Sequence, residues 1–404
     1  MDYSLSTSSF TTLLSFPILF LVLAITLFSF IQSHKNVKQY PLPPGPRPWP
    51  IVGCLPAMLR NKPAYRWIHN LMKEMNSEIA CIRLGNIHVI PVTCPNIACE
   101  FLKAQDDVFS SRPQTISSYL ASNGYLSAVL SPFGDQWKKM KLVLATHVLS
   151  PRRHQWLHKK RVEEADNLVR LVYKQCQESN QEGMVNLRFT SQHYCANVIK
   201  KLMFNKRYFG VGMENGGPGF EDEQYVDALF TILNHLFSFC VSDFLSFLTW
   251  LDLDGHEEVM REKDRIIRKY HDPIIDDRIQ QWKDGKKKDI EDLLDVLITL
   301  NDDNGNPLLS RDEIRAQVEV RKVVLAENGL RFISFSTGKR GCMAVTLGSA
   351  MTNMLFARLL QGFSWSLPSN EPSIDLSTAG DSMALAKPLL AAAKPRLPAH
   401  LYPE

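Results

Sequence analysis

Residues 335–344 read Phe-Ser-Thr-Gly-Lys-Arg-Gly-Cys-Met-Ala, and Cys342 is the residue there with the most chemistry in it. A cysteine that holds haem iron must stay a thiolate in a protected site. Glycines at 338 and 341 let the chain turn tightly and bare its backbone N–H groups toward a sulfur, and such hydrogen bonds tune an iron's potential. Arg340, two residues before the cysteine, can pair with a propionate through a charge-assisted bond. Phe335, seven residues before it, can pack on the thiolate side and exclude water. A helix starting after Cys342 would aim its positive end at the sulfur and lower the thiol pKa. The competing reading is a glycine-rich turn around an ordinary buried cysteine.

The set Phe335, Gly338, Arg340 and Cys342 matches F-x-x-G-x-R-x-C and resembles the haem-loop signature of the cytochromes P450. Ala344 departs from it, standing where the general pattern has glycine. The wording is narrower than the superfamily. Arg331 to Ala344, the stretch Leu359-Leu-Gln-Gly-Phe-Ser-Trp365, Ala386-Lys-Pro388 and Pro395-Arg-Leu-Pro-Ala-His-Leu-Tyr402 resemble the plant microsomal amino-acid N-monooxygenases. So do Asp272-Pro-Ile-Ile-Asp-Asp-Arg278 and Ser110-Ser-Arg-Pro113. The resemblance implies a haem b cofactor with Cys342 as axial ligand of the iron. It also implies NADPH-cytochrome P450 reductase as electron donor and an amino acid substrate. The reaction it implies is two N-hydroxylations followed by loss of water and carbon dioxide, giving an aldoxime of the glucosinolate or cyanogenic glucoside type of pathway.

Trp137 and Lys141 lie four apart and share a helix face. The resemblance implies a propionate contact there, with lysine in place of the usual arginine: the charge without the bidentate fork. An ordinary surface helix with one aromatic anchor gives the same spacing. Lys138, Lys139, Lys141, Arg152, Arg153, Lys159, Lys160 and Arg161 form a basic region. It suits an acidic flavoprotein partner and equally a plain solvated face. Residues 112–133 are rich in Ser, Thr and Asn, and the resemblance makes this loop part of a substrate pocket.

These residues need a scaffold, and the rest of the chain supplies its outline. Its 404 residues are 45% hydrophobic, enough for a large core. The net charge of +4 gives no sign of a nucleic-acid partner. Eight scattered cysteines without a CxxC pair suit reduced thiols in a reducing compartment. Phe10 to Ile31 is free of charge and long enough to cross a bilayer, with a cleaved signal peptide as the competing reading. Lys35, Lys38 and Arg47 follow it, which places the main domain in the cytosol by the positive-inside rule. An endoplasmic-reticulum anchor over 1–34, a stiff proline-rich linker over 35–50 and a catalytic domain over 51–404 are therefore expected.

Within that domain Ile79–Leu84, Gly85-Asn86 and Ile87–Val92 predict a β-hairpin. Helical spacing predicts helices over Arg161–Gln175, Asp289–Leu300 and Ala344–Leu360, the last a core helix ended by Pro368 and the polar run after it. A charged, solvent-facing helix pair is expected over Glu257–Ile279, divided at Asp272-Pro273. The expected fold is mainly α with a minor β-sheet, the P450 fold, preceded by one transmembrane helix.

The expected fold is also incomplete. Only 18 residues separate Ala316 from Phe335. The resemblance requires several elements there: the long helix over the distal face of the haem, a Glu-x-x-Arg helix and a further arginine loop. Arg311 to Gln317 reads as the start of the distal helix, whereas Val324 to Arg331 already reads as the approach to the haem loop. An internal deletion near residues 317–321 accounts for both, and it leaves no distal catalytic residue to name. Glu258-Val-Met-Arg261 and Glu262-Lys-Asp-Arg265 have the right spacing but come too early, and are read as surface i,i+3 pairs. The alternative function is thus a truncated, catalytically inactive relative.

Overall fold

The computed structural model describes residues 21, 22, 24, 25, 41–177, 183–213, 216–236, 238–319, 335–369, 371, 373–377 and 385–403. The expected membrane segment, apart from four residues, lies outside these, as do residues 35–40, the segment 324–331 and the expected join beyond residue 319. Among the described residues no helix is long and apolar enough to cross a membrane. The chain forms two compact units, residues 1–94 with 244–246, and residues 95–243 with 247–404.

In the first unit, helix α1 (Ala64–Glu74) accompanies the hairpin of β1 (Ile82–Leu84) and β2 (Ile87–Val89). The register pairs Leu84 with Ile87 across Gly85-Asn86, as the turn residues predict. Gly85 has φ +56°, and a Cβ there would fall 2.1 Å from the Phe244 carbonyl oxygen, so only glycine fits. The proline-dense stretch has no helix or strand over residues 41–48. It is tied down: Pro44 accepts the Cys81 N–H at 2.9 Å, and Arg83 donates to the Trp49 carbonyl.

The second unit is mainly helical. Its principal helices are α2 (Asp135–Val143), α3 (His158–Gln177), α4 (Leu187–Phe204), α5 (Phe220–His235), α6 (His256–Lys283), α7 (Leu293–Ile298), α8 (Arg311–Glu319) and α9 (Val345–Gly362). An antiparallel sheet, β3 (Met184–Asn186), β5 (Leu390–Pro395) and β4 (Phe363–Ser366), has β5 in the centre. Ala391 and Ala393 turn inward on β5 and are buried. Tyr173 stacks on Tyr402 at 4.1 Å, and the Tyr402 hydroxyl accepts from the Arg396 and Leu397 amides. The largely exposed Pro395–Tyr402 ending is thus clasped by one buried side chain, Tyr402.

Three expectations need correction. The proposed helix pair is one 28-residue helix, α6, with Pro273 inside it. An internal proline costs about 3 kcal/mol. Here Met260, Ile267, Tyr270 and Ile275 are buried along one face on both sides of it, and burial of that many apolar side chains offsets the lost bond. The same face shows that α6 is not simply solvent-facing. Helix α9 stops at Gly362 because Phe363–Ser366 pairs with β5, several residues before Pro368. It is also only half a core helix: Leu347, Met351 and Leu359 are buried, whereas Phe356 and Leu360 are each 57% exposed. Finally, Arg261 pairs with Glu257 one turn back and Glu262 with Lys263, rather than at i,i+3.

The Asp272–Arg278 motif acts as a charged staple on α6. Arg278 donates to Asp292 at 2.8 Å and to Asp295 at 2.7 Å, and Asp292 caps α7. Asp272 and Asp276 hold Arg315 and Arg311 of α8 at 3.2 and 2.7 Å. Burial would raise the Asp295 carboxyl, but hydrogen bonds from Trp282, the Glu291 amide and Arg278 outweigh it and hold it below the ordinary value. A depressed carboxyl stabilises the fold fully above the unfolded value of about 3.9 and loses that contribution as pH falls through the folded value. Replacing Asp295 by Ala leaves Arg278 with Asp292 alone and takes the acceptor from Trp282 and the Glu291 amide; it is expected to cost about 3 kcal/mol in urea unfolding at pH 7, with less lost at pH 3. A loss under about 1 kcal/mol at pH 7, or no pH dependence, would contradict the staple.

Candidate functional site around Cys342

The loop before α9 is shaped by backbone bonds of its own. The Cys342 amide donates to the Phe335 carbonyl at 2.8 Å and the Gly341 amide to the Gly338 carbonyl at 3.0 Å. Gly338 sits at φ +65°, and a Cβ on it would lie 2.0 Å from the Leu102 carbonyl oxygen. Ser336 also adopts the left-handed region, at φ +57°. Phe335 is buried, and Cys342 is half-buried three residues before the first residue of α9, whose N-cap is Ala344. Phe335 and Cys342 are therefore closed into one turn, as their spacing implies.

The structure brings the other expected residues together as well. Trp137 is buried on α2. The Arg340 guanidinium lies 4.4 Å from its ring centroid and the Lys141 ammonium 4.8 Å from it, both close enough for cation–π attraction. Lys141 donates to the Lys339 carbonyl at 3.0 Å, so its charge is directed to the loop backbone. Lys339 in turn donates its amide to Asp106 at 2.9 Å, and its ammonium pairs with Asp107.

Arg340 is the least satisfied of these groups. Its Nε donates to the Ser110 carbonyl at 2.6 Å. Its Nη1 and Nη2 are buried with no hydrogen-bond partner. Burial, and then the nearby Arg112 charge, push it down to about 10. The Arg112 Nε and Ser110 Oγ are likewise buried and unpartnered. Ser110, Arg112 and Arg340 line one cavity of about 190 Å³ with Phe101, Leu102 and Asp106. Arg112 and Ser110 belong to the Ser-Ser-Arg-Pro quartet, whose wording was legible but whose place beside the loop was not: the two segments are more than 200 residues apart.

These orphaned donors decide whether a haem fits. A buried guanidinium without an anion is strongly unfavourable, and a carboxylate-bearing group would satisfy it. One half-buried cysteine on a tight glycine turn can supply a single thiolate, and the buried Phe335 accepts the Cys342 amide through its carbonyl. The unpartnered donors fit the carboxylate edge of a haem, and Cys342, which does not line their cavity, follows two residues after Arg340. Burial raises the Cys195 and Cys240 thiols to about 11, which leaves those two inert. Among the described residues no cluster of three metal-ligating side chains exists.

Other expected features fare differently. The basic region is not one free face. Arg161 is buried against His154, Lys139 is paired with buried Glu313 at 2.8 Å, and Lys160 is bound to Asn205 and the Glu291 carbonyl. The Ser- and Asn-rich loop spends its polarity on itself. Ser117, Ser122, Ser127 and Ser131 are buried, and Ser122 and Ser131 donate to loop carbonyls. Its tip at Asn123 receives Arg315 at 3.2 Å, which ties the loop to α8.

The family model for cytochrome P450 matches residues 43–321. The chain is 44% identical to isoleucine N-monooxygenase 1 of Lotus japonicus, covering 96% of this chain and 97% of that one. It is 40% identical to tryptophan N-monooxygenase 1 of Arabidopsis thaliana, over 98% and 96% of the two chains. It is 41% identical to the tyrosine N-monooxygenase of Sorghum bicolor, over 91% and 88%. The alignment with the Lotus protein runs over 517 positions, against 404 residues here, so at least 113 positions are filled by that relative alone. With a family match over more than half its length, and relatives that align from end to end around a haem-loop turn built on Cys342, this chain belongs to the cytochrome P450 family of haem-thiolate monooxygenases.

Proposed function

We propose that the chain is an amino-acid N-monooxygenase of the aldoxime-forming kind. What carries this reading is the pairing of a preformed Cys342 loop with near full-length similarity to enzymes named for isoleucine, tryptophan and tyrosine N-oxygenation. Cys342 would hold the haem iron through its thiolate, and Arg340, stacked on Trp137, would hold the haem's carboxylates. Phe335 keeps water from the sulfur side, and Gly338 lets the loop close over the Leu102 carbonyl. Lys141 pins the loop through the Lys339 carbonyl. When bound, the haem supplies activation of molecular oxygen. The amino acid's nitrogen is oxidised twice, with electrons from NADPH, and loss of water and carbon dioxide leaves the aldoxime.

The charge-free stretch Phe10–Ile31, with Lys35, Lys38 and Arg47 after it, supports a single-pass anchor in the endoplasmic-reticulum membrane with the domain in the cytosol. NADPH-cytochrome P450 reductase is the electron donor that this placement and the family suit. The exposed cations Lys138, Arg152 and Lys159 are what remains of the basic region for its docking.

A second reading is favoured by one observation. The family match ends at residue 321, and more than a hundred aligned positions have no residue here. Loss of the distal helix and the Glu-x-x-Arg element, with the join near residues 317–321, would leave a haem-binding chain without turnover. The purified chain, reconstituted with its reductase and NADPH and offered each protein amino acid, separates the two. Aldoxime detected by mass spectrometry supports the first reading, and a haem-loaded chain that makes none supports the second.

Loop closure has its own test. Gly338→Ala forces a side chain into the Leu102 carbonyl at a left-handed φ. The haem-to-protein ratio on purification is expected to fall at least severalfold, as a strained turn costs a few kcal/mol. An unchanged ratio would show that the turn does not present Cys342 to the haem.

A further inference from the structure

A second, smaller cavity abuts the first turn of α9 and shares no lining residue with the cavity beside Arg340. Its walls include Met343, Thr346 and Leu347 at the start of α9, Leu293 of α7, and His154 and Arg161. Arg161, on α3, is only 2% exposed. Its Nη2 donates to the His154 carbonyl at 2.9 Å, whereas its Nε and Nη1 are buried with no hydrogen-bond partner. A guanidinium stays charged at neutral pH even when buried. Among the described residues no carboxylate lines the cavity to offset that charge. Burial, and then the charge of Arg161 itself, hold His154 below its ordinary value, so it is neutral at pH 7. The Tyr194 phenol would offset Arg161 if ionised, but burial pushes it far up and keeps it neutral. One uncompensated buried cation therefore faces the end of an 18-residue helix that no side chain caps.

We propose that this cavity is a binding site for one monatomic anion, chloride, with the Arg161 guanidinium as its charge partner at the positive end of α9. Charge and size both point there. An isolated buried cation is strongly unfavourable, and an anion beside it removes most of that cost. The first amides of a helix have no partner within it and carry partial positive charge, so the same end of α9 favours a negative ion. The room is about 10 Å³, enough for one water-sized particle, so a carboxylate or phosphate group does not fit. A water molecule would fill the space but leave the charge unmatched. Chloride, little larger than water, does both. Thr346 is exposed, so an ion can reach the site from solvent. The site owes nothing to the haem and stands whether or not the chain turns over.

The test melts the full-length chain, purified in detergent, in sodium chloride and in sodium gluconate at equal ionic strength. Gluconate carries the same charge but is too large for the room, so general screening is alike in both salts. The wild-type midpoint is expected to rise with chloride along a saturating curve and to exceed that in gluconate by about 2 °C or more, as a ligand bound to the folded state alone implies. Arg161→Met is expected to melt at one temperature in both salts. Wild-type crystals grown in sodium bromide are expected to show an anomalous scattering peak beside Arg161. Coincident wild-type midpoints in the two salts, a chloride-dependent rise that survives in Arg161→Met, or a bromide map with water alone in the cavity would each overturn the proposal. The bromide map needs no variant, so it decides the matter even where Arg161→Met does not fold.

Discussion

A buried arginine with two unpartnered nitrogens is a debt that the surrounding structure must settle. Arg340 carries that debt, and the architecture around Cys342 is arranged on it. Trp137 covers one face of the guanidinium, Ser110 accepts from Nε, and the Gly338 turn closes the loop that carries it onto Leu102. Each contact desolvates the charge further and makes an arriving anion worth more. The loop that presents the cysteine and the cavity that would receive carboxylates are consequently one unit. The glycine geometry that frees the backbone around the sulfur is also what brings Arg340 into place.

The scaffold outside the loop is held by a different kind of interaction. Arg278 with Asp292 and Asp295, and Arg315 with Asp264 and Asp272, link α6 to α7 and α8 through buried or half-buried pairs. The pairs fix which helices meet, and Arg315 extends the link to Asn123 at the tip of the polar loop. Helix α8 is thus locked to its neighbours, and the family match stops at residue 321, shortly after it. The exposed Phe356 and Leu360 on α9 are apolar side chains without cover among the described residues.

How much of this was legible in the sequence depended on how local the cause was. The Cys342 loop is set by glycine and arginine within eight residues, and Phe335, Gly338, Arg340 and Cys342 could be named from spacing. The hairpin followed from a two-residue turn, and Trp137 with Lys141 from one helical turn. What failed was non-local. Pro273 reads as a boundary, yet burial on both sides carries α6 through it. The stop of α9 at Gly362 depends on β5, nearly thirty residues later. The basic region reads as a surface until Glu313 and Asn205 arrive from elsewhere to claim Lys139 and Lys160. Arg112 was visible only as part of a familiar phrase, because the cavity it shares with Arg340 joins segments more than 200 residues apart.

The central claim is that Cys342 still presents a thiolate to haem iron in a chain shorter than its relatives. The absorption spectrum of the expressed full-length chain, reduced and exposed to carbon monoxide, tests it most directly. The account predicts the red-shifted Soret band of thiolate-ligated haem, absent from Cys342→Ser. No haem band in the wild-type chain, or the unshifted band of a non-thiolate ligand, would contradict it.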